Sequence, residues 1–309
     1  MADSMSVKQE SKTELTAEAM TGEKRPPKRA PELSAQGVFE RIEDKFFIPR
    51  ARLAELEMQL QERMRPSYLD PQTTYCGIES TYLDSSELLS YANHFQSVPP
   101  SGSHQRFKLR VRRYFPNDKP DPLQSALLEL KSKVHENGVS KTKKLRFSLG
   151  GRDLARLMKG KPVRYVPRLV RLNPAIPAHQ LLLRVRKING LIKKFEMKPV
   201  CSVSYVRKAF EVDGLRVTFD DSISYRAIVR DTKTAECARQ MPPEKQELAA
   251  NMARSFRESD GVVLEIKHDG TFPDWLKTLI DQTGGREMSF SKYCFSMTEE
   301  FFASKGGSK

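Results

Sequence analysis

Along much of this chain apolar and polar side chains alternate one for one, the pattern of a strand with one buried face. Between Arg106 and Tyr114, Lys108, Arg110 and Arg112 share one face, and Phe107, Leu109 and Val111 share the other. Leu127 to Lys133 repeats the device, with Glu129, Lys131 and Lys133 together. Val203 to Arg207 aligns Tyr205 with Arg207, and Leu215 to Asp220 aligns Arg216, Thr218 and Asp220. Val263 to Lys267 aligns Glu265 with Lys267, and Arg41 to Lys45 aligns Arg41, Glu43 and Lys45. A single strand of this kind is an ordinary solvated sheet face. Here every polar side consists of Arg and Lys with an occasional carboxylate, and almost none of the Ser, Thr and Gln usual on a wet surface. That repetition predicts an α+β fold: a closed antiparallel β-barrel of about eight strands, its charged faces lining the lumen and its outside packed on helices. Like charges crowded into a lumen repel by roughly 1 to 4 kcal/mol per close pair. The contents must therefore be polyanionic and long enough to touch many of them.

Helical spacing takes over between these strands. Leu53, Leu56, Leu60 and Met64 form one stripe after Pro49, and Pro66 stops it. Asp84-Ser85-Ser86-Glu87 has a capping-box spacing ahead of Leu88, Leu89 and Phe95. Leu154, Leu157 and Met158 predict a short helix over 152–159. Pro243 to Phe256 predicts another, and Phe272-Pro273-Asp274-Trp275 opens one carrying Leu276, Leu279 and Ile280. The polar stretch Pro116 to Pro122 makes a hairpin of the first two charged strands, and Asp213-Gly214 makes one of Val200 to Asp220. Two basic, leucine-rich segments, Arg164 to Leu172 and His179 to Ile188, are broken by Pro174 and Pro177. They predict elements that cover the barrel, with a nucleic-acid or membrane-surface role as the other reading.

Charge places the tails. Residues 1–36 hold six acids and six bases with no apolar period, so they read as a disordered tail, and the net +14 of the 309-residue chain falls on the remainder. The folded domain is expected over 37–296, with a C-terminal tail over 297–309. An excess of this size points to phosphate-bearing partners. No apolar run approaches the roughly 18 residues of a membrane span, and the N-terminus lacks a signal-peptide core, so the expectation is a soluble, cytoplasmic protein. Cys76, Cys201, Cys237 and Cys294 lack metal-finger spacing, the histidines are scattered singly, and there is no phosphate-binding GxxxxGK[ST] loop.

Arg41, Glu43 and Lys45, then Arg110-Val111-Arg112, Glu129-Leu130-Lys131, Lys141-Thr142-Lys143-Lys144, Tyr205-Val206-Arg207, Arg216-Val217-Thr218-Phe219-Asp220, Leu264-Glu265-Ile266-Lys267 and Phe290-Ser291-Lys292-Tyr293 follow one another in a familiar order. Over roughly residues 37 to 295 the sequence resembles the VTC (vacuolar transporter chaperone) polyphosphate polymerase domain, in its bacterial stand-alone form. This is a branch of the CYTH-like triphosphate tunnel metalloenzymes.

The resemblance implies an ATP-polyphosphate phosphotransferase acting inside a basic tunnel. It implies Arg110, Arg112, Lys131, Arg207, Arg216 and Glu265 as the catalytic set. Lys45, Lys108, Lys141, Tyr205, Lys267, Ser291 and Lys292 are implied as substrate-binding groups, with the arginines as bidentate phosphate clamps. Glu265 is the expected ligand for Mn2+ or Mg2+, since a carboxylate in an anion tunnel needs a neutralising cation. Glu43 and Glu129 are either further metal groups or salt-bridge partners. Hydrolytic relatives begin with a carboxylate where this chain has Arg41, which favours the polymerase branch. The implied partners are ATP and inorganic polyphosphate, with no specific nucleic acid, and a membrane partner receiving the polymer is left open. The inositol-phosphate-sensing domain of eukaryotic relatives is not expected ahead of the barrel. The rival readings are an inorganic or nucleoside triphosphatase on the same fold, and a non-enzymatic polyanion-binding module.

Overall fold

The computed structural model describes residues 42–68, 73–95, 103–117, 126–136, 139–228, 242–244, 246–247, 249–251 and 260–302. Arg41, Cys237, the expected tail over 1–36 and much of the helix expected over 243–256 lie outside the described residues. The chain begins with β1 (Ile42–Pro49), a short 3-10 turn (Arg50–Arg52), α1 (Leu53–Arg63), β2 (Arg65–Pro66), β3 (Cys76–Asp84) and α2 (Leu89–Phe95). Three long strands follow, β4 (Ser103–Pro116), β5 (Ala126–Glu136) and β6 (Val139–Leu149). Then come α3 (Gly151–Leu157), α4 (Pro167–Arg171), α5 (Ala178–Lys194), β7 (Lys198–Val212), β8 (Leu215–Ala227) and β9 (Gly261–His268). The last elements are α6 (Asp274–Gln282), β10 (Arg286–Glu287) and α7 (Lys292–Phe302).

All ten strands join one antiparallel sheet in the order β10-β1-β9-β8-β7-β3-β4-β5-β6, with β2 added alongside β7. The expected α+β class and charged strands are present, but among the described residues the sheet is not closed by hydrogen bonds. Closure would require β6 to pair with β1, and β10 occupies β1 at Phe46 and Phe47 instead. The sheet nevertheless curls strongly, because Lys131 on β5 reaches Glu43 on β1 at 3.6 Å across the inner face.

The outer face explains the apolar half of each alternation. Leu109, Val111, Leu128, Leu130 and Phe147 pack against Leu157, Leu169, Leu181, Val185, Ile188 and Ile192 of α3 to α5. Phe210, Val217, Phe219, Leu264 and Ile266 pack against Leu56 and Leu60 of α1 and Leu276, Leu279 and Ile280 of α6. Each fully buried leucine contributes about 2 kcal/mol of hydrophobic transfer free energy. The two basic segments are thus helices covering the sheet, where their sequence left helices and strands both open. The β7–β8 hairpin turns at Asp213 and Gly214, both at positive φ (43° and 81°), the two-residue geometry matched to strand twist.

The capping box expected at Asp84 to Glu87 takes a different form. Ser85 Oγ accepts the Leu89 N–H at 3.1 Å, while the buried Asp84 carboxylate accepts the N–H groups of Ser85, Ser90 and Tyr91. Asp84 also accepts the Tyr293 hydroxyl, tying α2 to α7. Helix α7 runs on to Phe302 with Met297 and Thr298 buried, so the chain stays folded past residue 297 rather than becoming a tail there.

Candidate functional site

Register fixes which side chains share the inner face. Lys108, Arg110 and Arg112 on β4 stand opposite Lys131, Glu129 and Leu127 on β5, and Arg110 and Arg112 stand opposite Tyr82 and Ser80 on β3. Arg207 stands opposite Asp220, Thr218 opposite Glu265, Arg216 opposite Lys267, and Lys45 and Glu43 on β1 opposite Glu265 and Lys267. The alternation read from sequence therefore collects the predicted cations of six strands on one concave face.

Three carboxylate-centred clusters hold that face together. Glu129, with a side chain 2% exposed, accepts Arg110 Nε at 2.8 Å and is ion-paired with Lys144 Nζ at 2.8 Å and Arg112 Nη1 at 3.8 Å. Burial alone would raise its pKa, but these three cations outweigh it and hold the carboxyl down at about 2. Arg110 Nη1 also donates to Tyr82 Oη at 3.4 Å, and Arg112 Nη1 to Tyr114 Oη at 3.3 Å.

In the second cluster, fully buried Asp220 takes Arg207 through Nε and Nη2 at 2.6 and 2.7 Å and accepts Lys292 as well. Burial opposes its ionisation, yet Arg207 and Lys292 bring its pKa to about 2. Tyr205 lies beneath this pair, with Arg207 5.5 Å and Lys292 4.6 Å from its ring centroid.

The third cluster joins Lys267 to Glu265 and, at 3.9 Å, to Glu43, which also takes Lys45 at 3.0 Å. Burial and mutual repulsion disfavour ionisation of Glu43, but Lys45, Lys131 and Lys267 keep its pKa below the usual carboxylate range. Glu265 is likewise depressed against its burial by Lys267, Arg207, Lys45 and Lys292.

The segment entering α7 closes the assembly. Lys108 Nζ donates to Ser291 Oγ at 2.7 Å and lies 3.5 Å from His94 Nδ1, while Lys45 Nζ donates to the Phe290 carbonyl at 3.1 Å. Burial, with Lys45 and Lys131 nearby, lowers the Lys108 pKa. Behind it, Tyr293 stacks on Tyr82 with centroids 4.9 Å apart, so α7 rests on the inner face beside the cations.

Most of the residues expected at the site are thus brought together: Lys45, Lys108, Arg110, Arg112, Lys131, Tyr205, Arg207, Glu265, Lys267, Ser291 and Lys292. Arg216 shares the face by register, and its Nε is buried without a partner. Lys141 differs in backbone register. Lys141 pairs with Val134, whereas Lys144 pairs with Lys131, so Lys144 occupies the inner-face register and Lys141 the alternate one. The alternation of Leu145, Phe147 and Leu149 carried that information, since it assigns Lys144 and Arg146 to the polar side. Asp220, aligned in the sequence pattern but given no role there, anchors two of the cations.

The VTC domain family model matches residues 40–301. The chain belongs to the VTC domain family. Solved structures similar to this VTC domain include a protein of Pyrococcus horikoshii, at 11% identity and TM-score 0.39 over 84% of this chain and 99% of that one. Another is a Bacillus halodurans protein provisionally assigned as an adenylate cyclase, at 12% identity and TM-score 0.41 over 81% and 93%. No curated protein matches the sequence.

The carboxylates differ in their fitness to hold a divalent cation. Among the described residues no three His, Cys, Asp or Glu side chains gather into a metal cluster. Glu43 and Glu265 form an ionised pair close enough to repel each other on the inner face. Two such carboxylates suit a hard cation that completes its shell with phosphate and water oxygens. Glu129 is set apart from them, because its buried carboxylate is already paired with Arg110, Arg112 and Lys144.

Proposed function

We propose that this VTC domain is a polyphosphate polymerase that moves the γ-phosphoryl group of ATP onto the end of an inorganic polyphosphate chain. One observation carries the reading: Arg110, Arg112 and Arg207 are pre-oriented by buried carboxylates on a face shared with Lys45, Lys108, Lys131, Lys267 and Lys292. Anchored guanidinium groups stabilise the charge that spreads over the transferred group's oxygens without reorganising as it develops. A terminal oxygen of the chain attacks the γ-phosphorus, the bond to the β-phosphate oxygen breaks, and ADP departs. The polymer is one phosphate longer. No side-chain nucleophile takes part. In this reading the curled sheet acts as a channel, its side walls linked by Glu43 and Lys131. Tyr205 and Ser291 supply hydroxyl donors to phosphate oxygens, and Arg216 brings a further guanidinium. Glu265, with Glu43, would hold Mn2+ or Mg2+, which when bound neutralises phosphate charge.

Product analysis tests this. Protein given ATP with Mn2+ should release ADP without matching orthophosphate and form polymer visible on a gel or by phosphorus spectroscopy, and short polyphosphate should abolish any lag. One orthophosphate per ADP, with no polymer under Mn2+ or Mg2+, overturns the polymerase reading and leaves a triphosphatase. Binding of polyphosphate or RNA without ADP release leaves a polyanion-binding module.

A further inference from the structure

The helical layer α3 to α5 has two unlike sides. Its inner side is the apolar stripe already described, pressed on β4 to β6. Between Gly150 and Lys198 lie thirteen Lys and Arg but two carboxylates, so this one layer carries most of the chain's +14. One of the two carboxylates, Asp153, is buried. Among the described residues none of the thirteen cations forms an ion pair. Cations at this density repel one another, and among the described residues no carboxylate is paired with any of them.

Apolar side chains sit among these cations on the surface. Leu183 is 60% exposed and Tyr165 is 38% exposed, two of the four exposed large hydrophobic residues described. The Tyr165 hydroxyl donates to the carbonyl of Ala178, the first residue of α5, at 3.1 Å. That bond sets its ring at the start of the helix whose next turn bears Leu183. Opposite the buried Leu181, Val185, Ile188 and Ile192, the outer stripe of α5 presents Leu183 with Arg186, Lys187 and Lys194.

We propose that this outer face docks on an anionic lipid bilayer. Lys and Arg engage the headgroups, while Leu183 and Tyr165 enter the boundary between headgroups and acyl chains. The combination of dense cations with solvent-facing Leu and Tyr is what a bilayer interface recognises. A free polyanion would use the cations and leave Leu183 without a purpose. RNA would use stacked aromatic side chains, and Tyr165 is the one exposed aromatic of the layer, since Phe195 stacks on Phe107 at 5.8 Å. The face lies across the sheet from the concave site, so docking leaves that site open. The proposal does not depend on the polymerase reading.

Sedimentation of the full chain with vesicles tests it. Vesicles of phosphatidylcholine with about one-third phosphatidylglycerol should bind the protein, phosphatidylcholine alone should not, and binding should fade as salt shortens the screening length. The double variant Arg186→Gln, Lys187→Gln should weaken partitioning roughly twenty-five-fold, at about fivefold per cation removed. Leu183→Ser should weaken it at unchanged charge, and both variants should keep the wild-type melting temperature and ATP turnover. Arg207→Gln, on the concave face, should bind vesicles as the parent does. The proposal is overturned if the parent ignores anionic vesicles at low salt, or if the double variant binds undiminished. It is equally overturned if binding is lost in Arg207→Gln. It also fails if the double variant loses affinity for an oligoribonucleotide or long-chain polyphosphate while the parent shows none for vesicles, which would assign the face to a free polyanion.

Discussion

Asp220 holds the Arg207 guanidinium by two parallel hydrogen bonds, Nε to Oδ1 at 2.6 Å and Nη2 to Oδ2 at 2.7 Å. The carboxylate is fully buried and Arg207 is largely so, with a side-chain exposure of 15%. The arginine that would meet phosphate is therefore fixed before any ligand arrives, and its fixing group is hidden behind it. Such a pair is costly to break from one side, because the survivor is left as an uncompensated charge.

Asp220→Asn should for that reason lower unfolding stability by about 3 kcal/mol, since it strips the counter-charge from both Arg207 and Lys292. Tripolyphosphate should restore part of the loss, because an anion on the concave face replaces the missing charge. Denaturant unfolding with and without tripolyphosphate measures both effects. Equal losses with and without the anion would mean that Arg207 does not face the ligand.

Glu265 and Glu129 should behave oppositely on conversion to Gln. Glu265→Gln removes one of two carboxylates suited to a divalent ion, so turnover should shift to much higher Mn2+ while the fold persists. Glu129→Gln removes the counter-charge of Arg110, Arg112 and Lys144, so it should cost about 3 kcal/mol of stability, and the Mn2+ requirement of the remaining activity should not change. Metal titrations of turnover beside unfolding curves separate the two. An unchanged Mn2+ midpoint in Glu265→Gln would move the metal elsewhere.

Lys144→Gln should slow turnover or weaken tripolyphosphate binding by about tenfold, the scale of one lost charge-assisted contact of 1.4 kcal/mol. Lys141→Gln should change either by less than about twofold, because its register belongs to the other face of β6. Calorimetric binding of tripolyphosphate to the two variants decides between them. A larger effect at Lys141 would contradict the strand pairing of β5 and β6.

Much of this was legible in the sequence because alternation is local. A strand's own residues state which side chains travel together, and Lys108, Arg110 and Arg112 did so with Phe107, Leu109 and Val111 as the opposing face. The resemblance pointed to Lys141 within a dense basic run, whereas the parity set by Leu145, Phe147 and Leu149 gives Lys144, and not Lys141, the register of the charged face. The open edge was not legible, since pairing of β10 with Phe46 and Phe47 joins a two-residue strand to residues 240 positions earlier. Nor was the continuation of α7 to Phe302, whose buried Tyr293 and Met297 find their partners on β3 and α2. Asp220 looked like one more polar residue in an alternating strand. Its importance comes from zero exposure, which no local pattern reports.

Stability should fall steadily in acid, in two overlapping stages. Burial, helped by Lys108, Arg106 and Lys45, pushes the His94 imidazole from 6.5 down to about 3. Despite their burial, Glu129 is held at about 2 by Arg110, Arg112 and Lys144, and Asp220 at about 2 by Arg207 and Lys292, against ordinary values of 4.5 and 3.8. In all three the unfolded chain takes up the proton first, so the stabilisation is complete above the unfolded pKa and is lost as pH falls towards the folded one. His94 sets the earlier loss, beginning near pH 6.5, and the two carboxylates add theirs between about pH 4.5 and 2. Denaturant unfolding should therefore weaken already between pH 6.5 and 5, by up to about 1.4 kcal/mol per pH unit for one proton. His94→Gln should flatten that first segment and leave the carboxylate segment in place, since Gln cannot take up the proton. A parent protein equally stable at pH 7 and pH 5 would show that His94 is not held neutral beside Lys108, and a slope surviving in His94→Gln would assign it to another group.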